Sequence, residues 1–275
     1  MLVIPEIKPN QSIDLLKALH ILTRDGKLNQ DSRRKLKQVY HLYQFIEPLL
    51  TAVGDNVQLV DHGAGKSYLG FILYDLFFKQ RSDDAHVFGI ETRQELVLRS
   101  RELAQQLEFA GMSFLNLSVA DSIASSLLPV QVDIVTALHA CDTATDDAIR
   151  FGLEKRVQHM VLVPCCQAEV AAELRKGKAQ TLAQGALAEV WRHPIHTREF
   201  GSHLTNVLRC LQLEAHGYQV TVTELVGWEH SMKNELIVAS DKKLSGKRAA
   251  ERLHELLIMF GLTALSGRFY TPQPK

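Results

Sequence analysis

The 275-residue chain has no charge excess of either sign: 31 Lys and Arg balance 31 Asp and Glu. That balance excludes a protein that coats nucleic acid over its whole surface, though it leaves room for a local basic face. Cysteine is scarce. The four, Cys141, Cys165, Cys166 and Cys210, show no Cys-x-x-Cys spacing, and the adjacent pair has poor geometry for a mutual disulfide. A disulfide scaffold is therefore excluded and a reducing, cytoplasmic setting expected. No apolar run is long enough to span a bilayer, so no membrane partner is expected. The opening Met1-Leu2-Val3-Ile4-Pro5-Glu6 lacks the basic start and long apolar stretch of a secretory signal. Internal repeats and low-complexity linkers are also missing. What remains is a chain 46% hydrophobic, long enough to bury a full core as one large or two small domains.

The most informative segment is Val57-Gln58-Leu59-Val60-Asp61-His62-Gly63-Ala64-Gly65-Lys66-Ser67: an apolar strand, an acid, a glycine turn and a helix start. Gly65-Lys66-Ser67 imitates the tail of a phosphate-binding P-loop. That loop needs a glycine five residues before Gly65, but Val60 stands there, and Asp61 would repel the phosphates. The spacing Asp61-x-Gly63-x-Gly65 fits instead the nucleoside-binding turn of S-adenosylmethionine (SAM) enzymes. Gly63 and Gly65 allow a tight turn and a close backbone approach to a ligand. The usual third glycine is Ser67, which is free to cap the following helix. Lys66 has no phosphate to neutralise in this reading. A purely structural strand-to-helix turn is the alternative.

Apolar spacing predicts a helix over Ser12–Thr23 and a second, capped by Asp31 or Ser32, to about Leu50. Residues 1–50 are thus a helical N-terminal extension, with a catalytic domain over 51–275. Strands are expected at Val57–Asp61, His86–Ile90, Ser113–Leu117, Val132–Leu138, His159–Pro164, Tyr218–Leu225 and Glu235–Ser240. They alternate with helices at Ser67–Lys79, Gln94–Gly111, Thr143–Lys155 and Ser202–His216, and Lys247–Phe260 forms a last one. Such alternation implies a mainly parallel sheet covered on both faces. The connection Gly227–Asn234 is too short for a crossover helix, so the last two strands must pair antiparallel. The expected fold class is α/β, a Rossmann-like seven-stranded class I methyltransferase sheet. A helical insertion at about 167–200 follows the fifth strand.

In open α/β sheets, ligands bind outside the carboxyl ends of the strands. Asp61 and the glycines end the first. Glu91 ends the second, where a carboxylate accepts from both ribose hydroxyls; the alternative is a solvated helix cap before Arg93. Asp121 follows the third and could accept from an adenine amino group or cap the next helix. The fourth strand runs into Leu138-His139-Ala140-Cys141-Asp142. His139 would face the cofactor, and His139 and Asp142 are candidates to orient an acceptor or remove its proton; capping and structural hydrogen bonding compete with that. The fifth ends in Pro164-Cys165-Cys166. Cys165 or Cys141 could attack a pyrimidine carbon, or His139 and the cysteines could gather zinc; small buried residues are the third reading. No resident metal is expected.

Asp61-x-Gly63-x-Gly65-Lys66-x-x-Leu69, Leu138-His139-Ala140-Cys141-x-x-Ala144-Thr145-Asp146, Pro164-Cys165-Cys166 and His230-Ser231-x-Lys233-Asn234-Glu235-Leu236-Ile237 occur in this order. The set resembles the methyltransferase domain shared by the eukaryotic tRNA 2′-O-methyltransferases and the glutathione S-transferase C-terminal-domain-containing protein. Asp142 stands at that family's usual glycine, and the tRNA enzymes' zinc-finger module is not seen. The resemblance implies SAM as cofactor and suggests RNA, tRNA or rRNA, as acceptor. Arg24, Lys27, Arg33, Arg34, Lys35 and Lys37, interleaved with Tyr40 and Tyr43, form one basic cluster. Arg175, Lys176, Lys178, Arg192, His193, His196 and Arg198 form a second. Arg33, Arg34 and Lys35, with Lys233 and Asn234 of the hairpin loop, are the candidate substrate contacts, against a reading as solvated helix faces. No Asn/Asp-Pro-Pro-aromatic motif follows the fourth strand, which disfavours exocyclic base amines. Methylation of a small molecule or protein side chain, and a non-catalytic SAM-fold scaffold, remain as alternatives.

Overall fold

The computed structural model describes residues 6–82, 84–138, 143–164, 168–177, 186–225 and 235–272. Seven strands, β1 (Gln58–His62), β2 (His86–Glu91), β3 (Met112–Asn116), β4 (Ile134–Leu138), β5 (His159–Val163), β6 (Tyr218–Glu224) and β7 (Glu235–Asp241), form one sheet in the order 3-2-1-4-5-7-6. β7 is antiparallel to both β5 and β6, and the other pairings are parallel. This is the expected class I methyltransferase layout, terminal antiparallel hairpin included. No described helix is long and apolar enough to cross a membrane.

The pleat divides each strand between two cores. Leu59, Val87, Phe114, Ile134 and Val161 face one side, under α1 (Ile13–Ala18), α2 (Gln30–Val53), α3 (Tyr68–Leu76) and α4 (Gln94–Gln106). Val60, Ile90, Val135 and Leu162 face the other, under α5 (Val119–Ile123), α6 (Thr143–Lys155) and α8 (Pro194–Ala215). A third apolar cluster joins α7 (Glu169–Gly177), α8 and α9 (Lys247–Met259). The N-terminal extension is thus built into the first core, and Asp75 of α3 accepts from Ser12 N at 2.7 Å to fasten it.

Several helix limits differ from expectation, each for a local reason. α1 stops at Ala18 because His20 takes φ 55°, His20 N donates to Lys17 O and Ile21 N donates to Leu16 O. That pattern is a Schellman close with histidine in the glycine place. Glu108, at φ 57°, closes α4 in the same way. The cap of α2 is Asn29, whose Oδ1 accepts from Ser32 N at 2.8 Å, rather than Asp31 or Ser32. α8 begins at Pro194, well before Ser202, because a proline at the first helical position needs no N–H partner.

At the centre of the sheet, β1 buries two titratable side chains on opposite faces. Asp61, 3% exposed, accepts a 2.6 Å hydrogen bond from the Thr136 hydroxyl of β4. His62, fully buried, lies edge-on to Phe151, and neither ring nitrogen has a partner among the described residues. Burial lowers the His62 pKa from 6.5 to about 3. Its stabilising contribution is full above pH 6.5 and is lost as pH falls toward 3. Burial raises Asp61 from 3.8 to about 7, against the opposing Thr136 hydrogen bond. Its contribution is full below the unfolded value and is lost as pH rises through the folded one. The two therefore offset each other between pH 5 and 7. Asp61→Asn removes the second effect. Its urea-unfolding free energy is expected to fall on acidification from pH 7.5 to 5, by about 2 kcal/mol through His62, more steeply than wild type. A variant with the wild-type pH slope contradicts this.

Candidate functional site

β1 feeds a five-residue turn, Gly63-Ala64-Gly65-Lys66-Ser67, before α3. Gly63, Gly65 and Ser67 have φ of 66°, 58° and 53°. Glycine takes that conformation freely, whereas it costs serine on the order of 1 kcal/mol. Ser67 occupies the third glycine place but does not cap α3 through its side chain: its buried hydroxyl makes no hydrogen bond to any described residue.

Glu91, the last residue of β2, closes the turn from the neighbouring strand. Oε2 accepts from Gly65 N at 2.8 Å and Arg93 Nη2 at 3.1 Å; Oε1 accepts from Arg93 N and Arg93 Nε, both at 3.0 Å. Burial alone would raise this carboxyl's pKa, but the hydrogen bonds and charge of Arg93, with the Gly65 amide, hold it down to about 2. It is ionised at any physiological pH. Asn116 of β3 donates to the carbonyls of Glu91 and Thr92 at 3.0 and 2.8 Å, fixing the end of β2 against β3.

The other expected cofactor residues take different positions. Asp61 faces Thr136 within the sheet, so the task open to it is supporting the turn from beneath. Lys66 is exposed and lines a groove of about 300 Å³ with His20, Tyr68 and Arg99. Asp121 is exposed in the first turn of α5. The cap there is Ser118, whose hydroxyl accepts from Asp121 N at 3.0 Å and donates to Asp121 Oδ2 at 2.6 Å. His139, Cys141, Asp142, Cys165, Cys166, His230, Lys233 and Asn234 lie outside the described residues. Among the described residues no group of three or more His, Cys, Asp or Glu is placed to hold a metal.

The basic clusters are not continuous. Arg33 pairs with Glu6 at 2.8 Å and Arg34 with Asp31 at 3.9 Å. In the second cluster Lys176, Arg192 and Arg198 each meet a nearby glutamate, Glu173, Glu189 and Glu199. Lys35 has no such partner among the described residues. It lines an apolar pocket of about 220 Å³, with Leu138 and Val163 at the ends of β4 and β5 and Leu225 just past β6. Arg93, Asn116, Thr136 and the setting of Lys35 are the site features that sequence reasoning missed. Only Arg93, two residues from Glu91, carried a local signal.

A family model described as a methyltransferase domain matches residues 34–173, which include the turn, Glu91 and the ends of β4 and β5. The chain belongs to this methyltransferase family. A Bos taurus glutathione S-transferase C-terminal domain-containing protein is 23% identical over 232 residues, 78% of this chain and 34% of that one. The chain thus spans about a third of the length of that relative. Among solved structures, magnesium protoporphyrin IX methyltransferase from Synechocystis PCC 6803 with bound SAH is similar at TM-score 0.48 and 15% identity, covering 83% of this chain and 93% of that one. An rRNA methylase from Streptococcus thermophilus is similar at TM-score 0.44 and 9% identity, covering 72% and 94%. Aeropyrum pernix fibrillarin with bound S-adenosyl-L-methionine gives 0.41 and 11%, covering 67% and 66%.

SAM is the cofactor of this methyltransferase, and the turn fits it. A Cβ added at Gly65 would lie 3.7 Å from Arg93 Nη2 and 4.0 Å from Glu91 Oε2. Glycine keeps the space before the carboxylate open. When bound, SAM supplies a methyl group made electrophilic by the adjacent sulfonium. Ribose hydroxyls donating to Glu91 would replace Arg93 Nε and Nη2. The Arg93 side chain is 60% exposed, so releasing this pair costs at most about 1 kcal/mol. Arg93→Ala is therefore expected to tighten SAM binding by up to about fivefold in calorimetry. Glu91→Ala is expected to weaken it at least about tenfold, having lost charge-assisted hydrogen bonds of about 1.5–3 kcal/mol each. Wild-type affinity in Glu91→Ala would remove the ribose role from this carboxylate.

Proposed function

We propose that this SAM-dependent methyltransferase acts on RNA, tRNA or rRNA, at a ribose 2′-oxygen or a ring nitrogen. The observation that carries the reading is Lys35, a cation of the N-terminal extension with no described carboxylate partner, at a pocket lined by the carboxyl ends of two parallel strands. The sequence resemblance to the tRNA 2′-O-methyltransferase domain points the same way. In the reaction the acceptor oxygen or nitrogen takes the methyl and loses its proton, and the sulfonium becomes a neutral thioether. His139 and Asp142, which follow β4 directly, are the proposed groups to orient the acceptor and receive that proton. Cys165, just past β5, would instead serve transfer to a pyrimidine carbon, by its thiolate adding to the ring and leaving again after methyl transfer and loss of the ring proton. Residues 1–50 serve in this reading as a substrate-binding extension to a domain over 51–275, in a cytoplasmic setting.

A second reading, methylation of a small molecule or protein side chain, is favoured by the pairing of Arg33 and Arg34, and of Lys176, Arg192 and Arg198 in the second basic cluster, with carboxylates. The two separate on salt dependence, because phosphate contacts release counterions. RNA binding is expected to weaken steeply between 50 and 200 mM salt, and Arg34→Glu with Lys35→Glu to weaken it about tenfold at the lower salt. Negligible, salt-independent RNA binding would rule the RNA reading out. SAM binding without transfer to any RNA, small-molecule or protein pool would favour a scaffold.

A further inference from the structure

The pocket beside Lys35 has a shape and chemistry that the methyl-donor site does not use. Its roof is one face of α2: Lys35, Gln38, Val39 and Leu42 follow the spacing that brings helical side chains to one side. Its floor is the ends of β4, β5 and β6, through Leu138, Val163 and Leu225. Ligands of open α/β sheets bind beyond this edge. At about 220 Å³ it is smaller than the roughly 300 Å³ at which pockets for drug-sized ligands begin. It is suited to one ring system. The lining is mostly aliphatic, and among the described residues Lys35 is its one charged group. A lysine or arginine side chain would enter facing the like charge of Lys35, which disfavours it. An uncharged flat ring with an anionic group at the mouth matches both features.

We propose that this pocket receives the base of the acceptor nucleotide, unpaired and turned out of its strand, with Lys35 holding the adjacent phosphate; this rests on the RNA reading above. A base stacked inside a helix cannot enter an apolar pocket between α2 and the strand ends, so the target must lie in a single-stranded or extruded position. Gln38, beside Lys35, carries both a donor and an acceptor for a base edge. The N-terminal extension would then select the substrate, while the glycine turn holds the cofactor.

The test uses the full chain, tritiated SAM and total RNA from cells lacking the gene. Val39→Trp fills the pocket from a partly buried position on α2. It is expected to keep SAM affinity within about twofold by calorimetry and to cut tritium transfer into RNA at least about a hundredfold. A second measurement does not depend on the variant folding: once the modified site is mapped, wild-type transfer to it is expected to fall at least about a hundredfold when that site is annealed to a complementary strand. Transfer by Val39→Trp within about threefold of wild type, or equal wild-type rates on paired and unpaired sites, overturns the base pocket and leaves the RNA reading standing. No tritium in RNA with the wild-type enzyme overturns the RNA reading itself.

Discussion

The hydrogen bond from the Gly65 amide to the Glu91 carboxylate, 2.8 Å long, is the contact on which the carboxyl edge of the sheet depends. It joins the turn after β1 to the end of β2 and holds a segment in which Gly63, Gly65 and Ser67 all have left-handed backbone. Each partner answers a separate requirement. Residue 65 must accept φ 58° and carry no Cβ in front of the carboxylate. Residue 91 must be an ionised acceptor, which Arg93 and the two amides secure against burial. Beneath the turn, the Asp61–Thr136 hydrogen bond locks β1 to β4, so the turn and the end of β4 are set by one strand.

A second polar network fixes the other half of that edge. Arg209 of α8, fully buried, binds Asp146 through Nε at 2.6 Å and Nη2 at 2.9 Å, and its Nη1 donates to Asn206 Oδ1 at 3.2 Å. Asn206 Nδ2 donates to Glu235 Oε2, at the start of β7, at 2.8 Å. A buried ion pair of this kind adds little net stability over apolar packing, although breaking one side of it is costly. What it supplies is position: the first turn of α6, which follows the end of β4, is tied to α8 and to β7. Asp146, part of the Ala-Thr-Asp stretch that carried the sequence resemblance, is thus spoken for by Arg209 and has a structural task.

The strands and their layout were legible because parallel strands buried on both faces read as apolar runs, and because the short connection before β7 leaves no room for a crossover. Helix ends were not. The usual C-terminal signal is glycine, whereas His20 and Glu108 take the left-handed position in α1 and α4. Of the expected cofactor residues, Gly63, Gly65 and Glu91 could be read from local spacing. The burial of Asp61 could not, since it depends on a register that brings Thr136 alongside from 75 residues away. The division of the basic cluster was hidden for a related reason. Arg33, Arg34 and Lys35 are consecutive in sequence, but the helix turns them toward Glu6, Asp31 and the pocket at the ends of β4 and β5 respectively.

The central claim is that the left-handed turn at Gly65, held by Glu91, is the seat of the methyl donor. Calorimetric titration of Gly65→Ala with SAM tests it most directly, alongside thermal unfolding of the same sample. A Cβ at φ 58° strains the turn but meets no atom closer than 3.7 Å. The account predicts a folded protein whose SAM affinity is at least about tenfold below wild type. A folded variant that binds SAM as wild type does would contradict it.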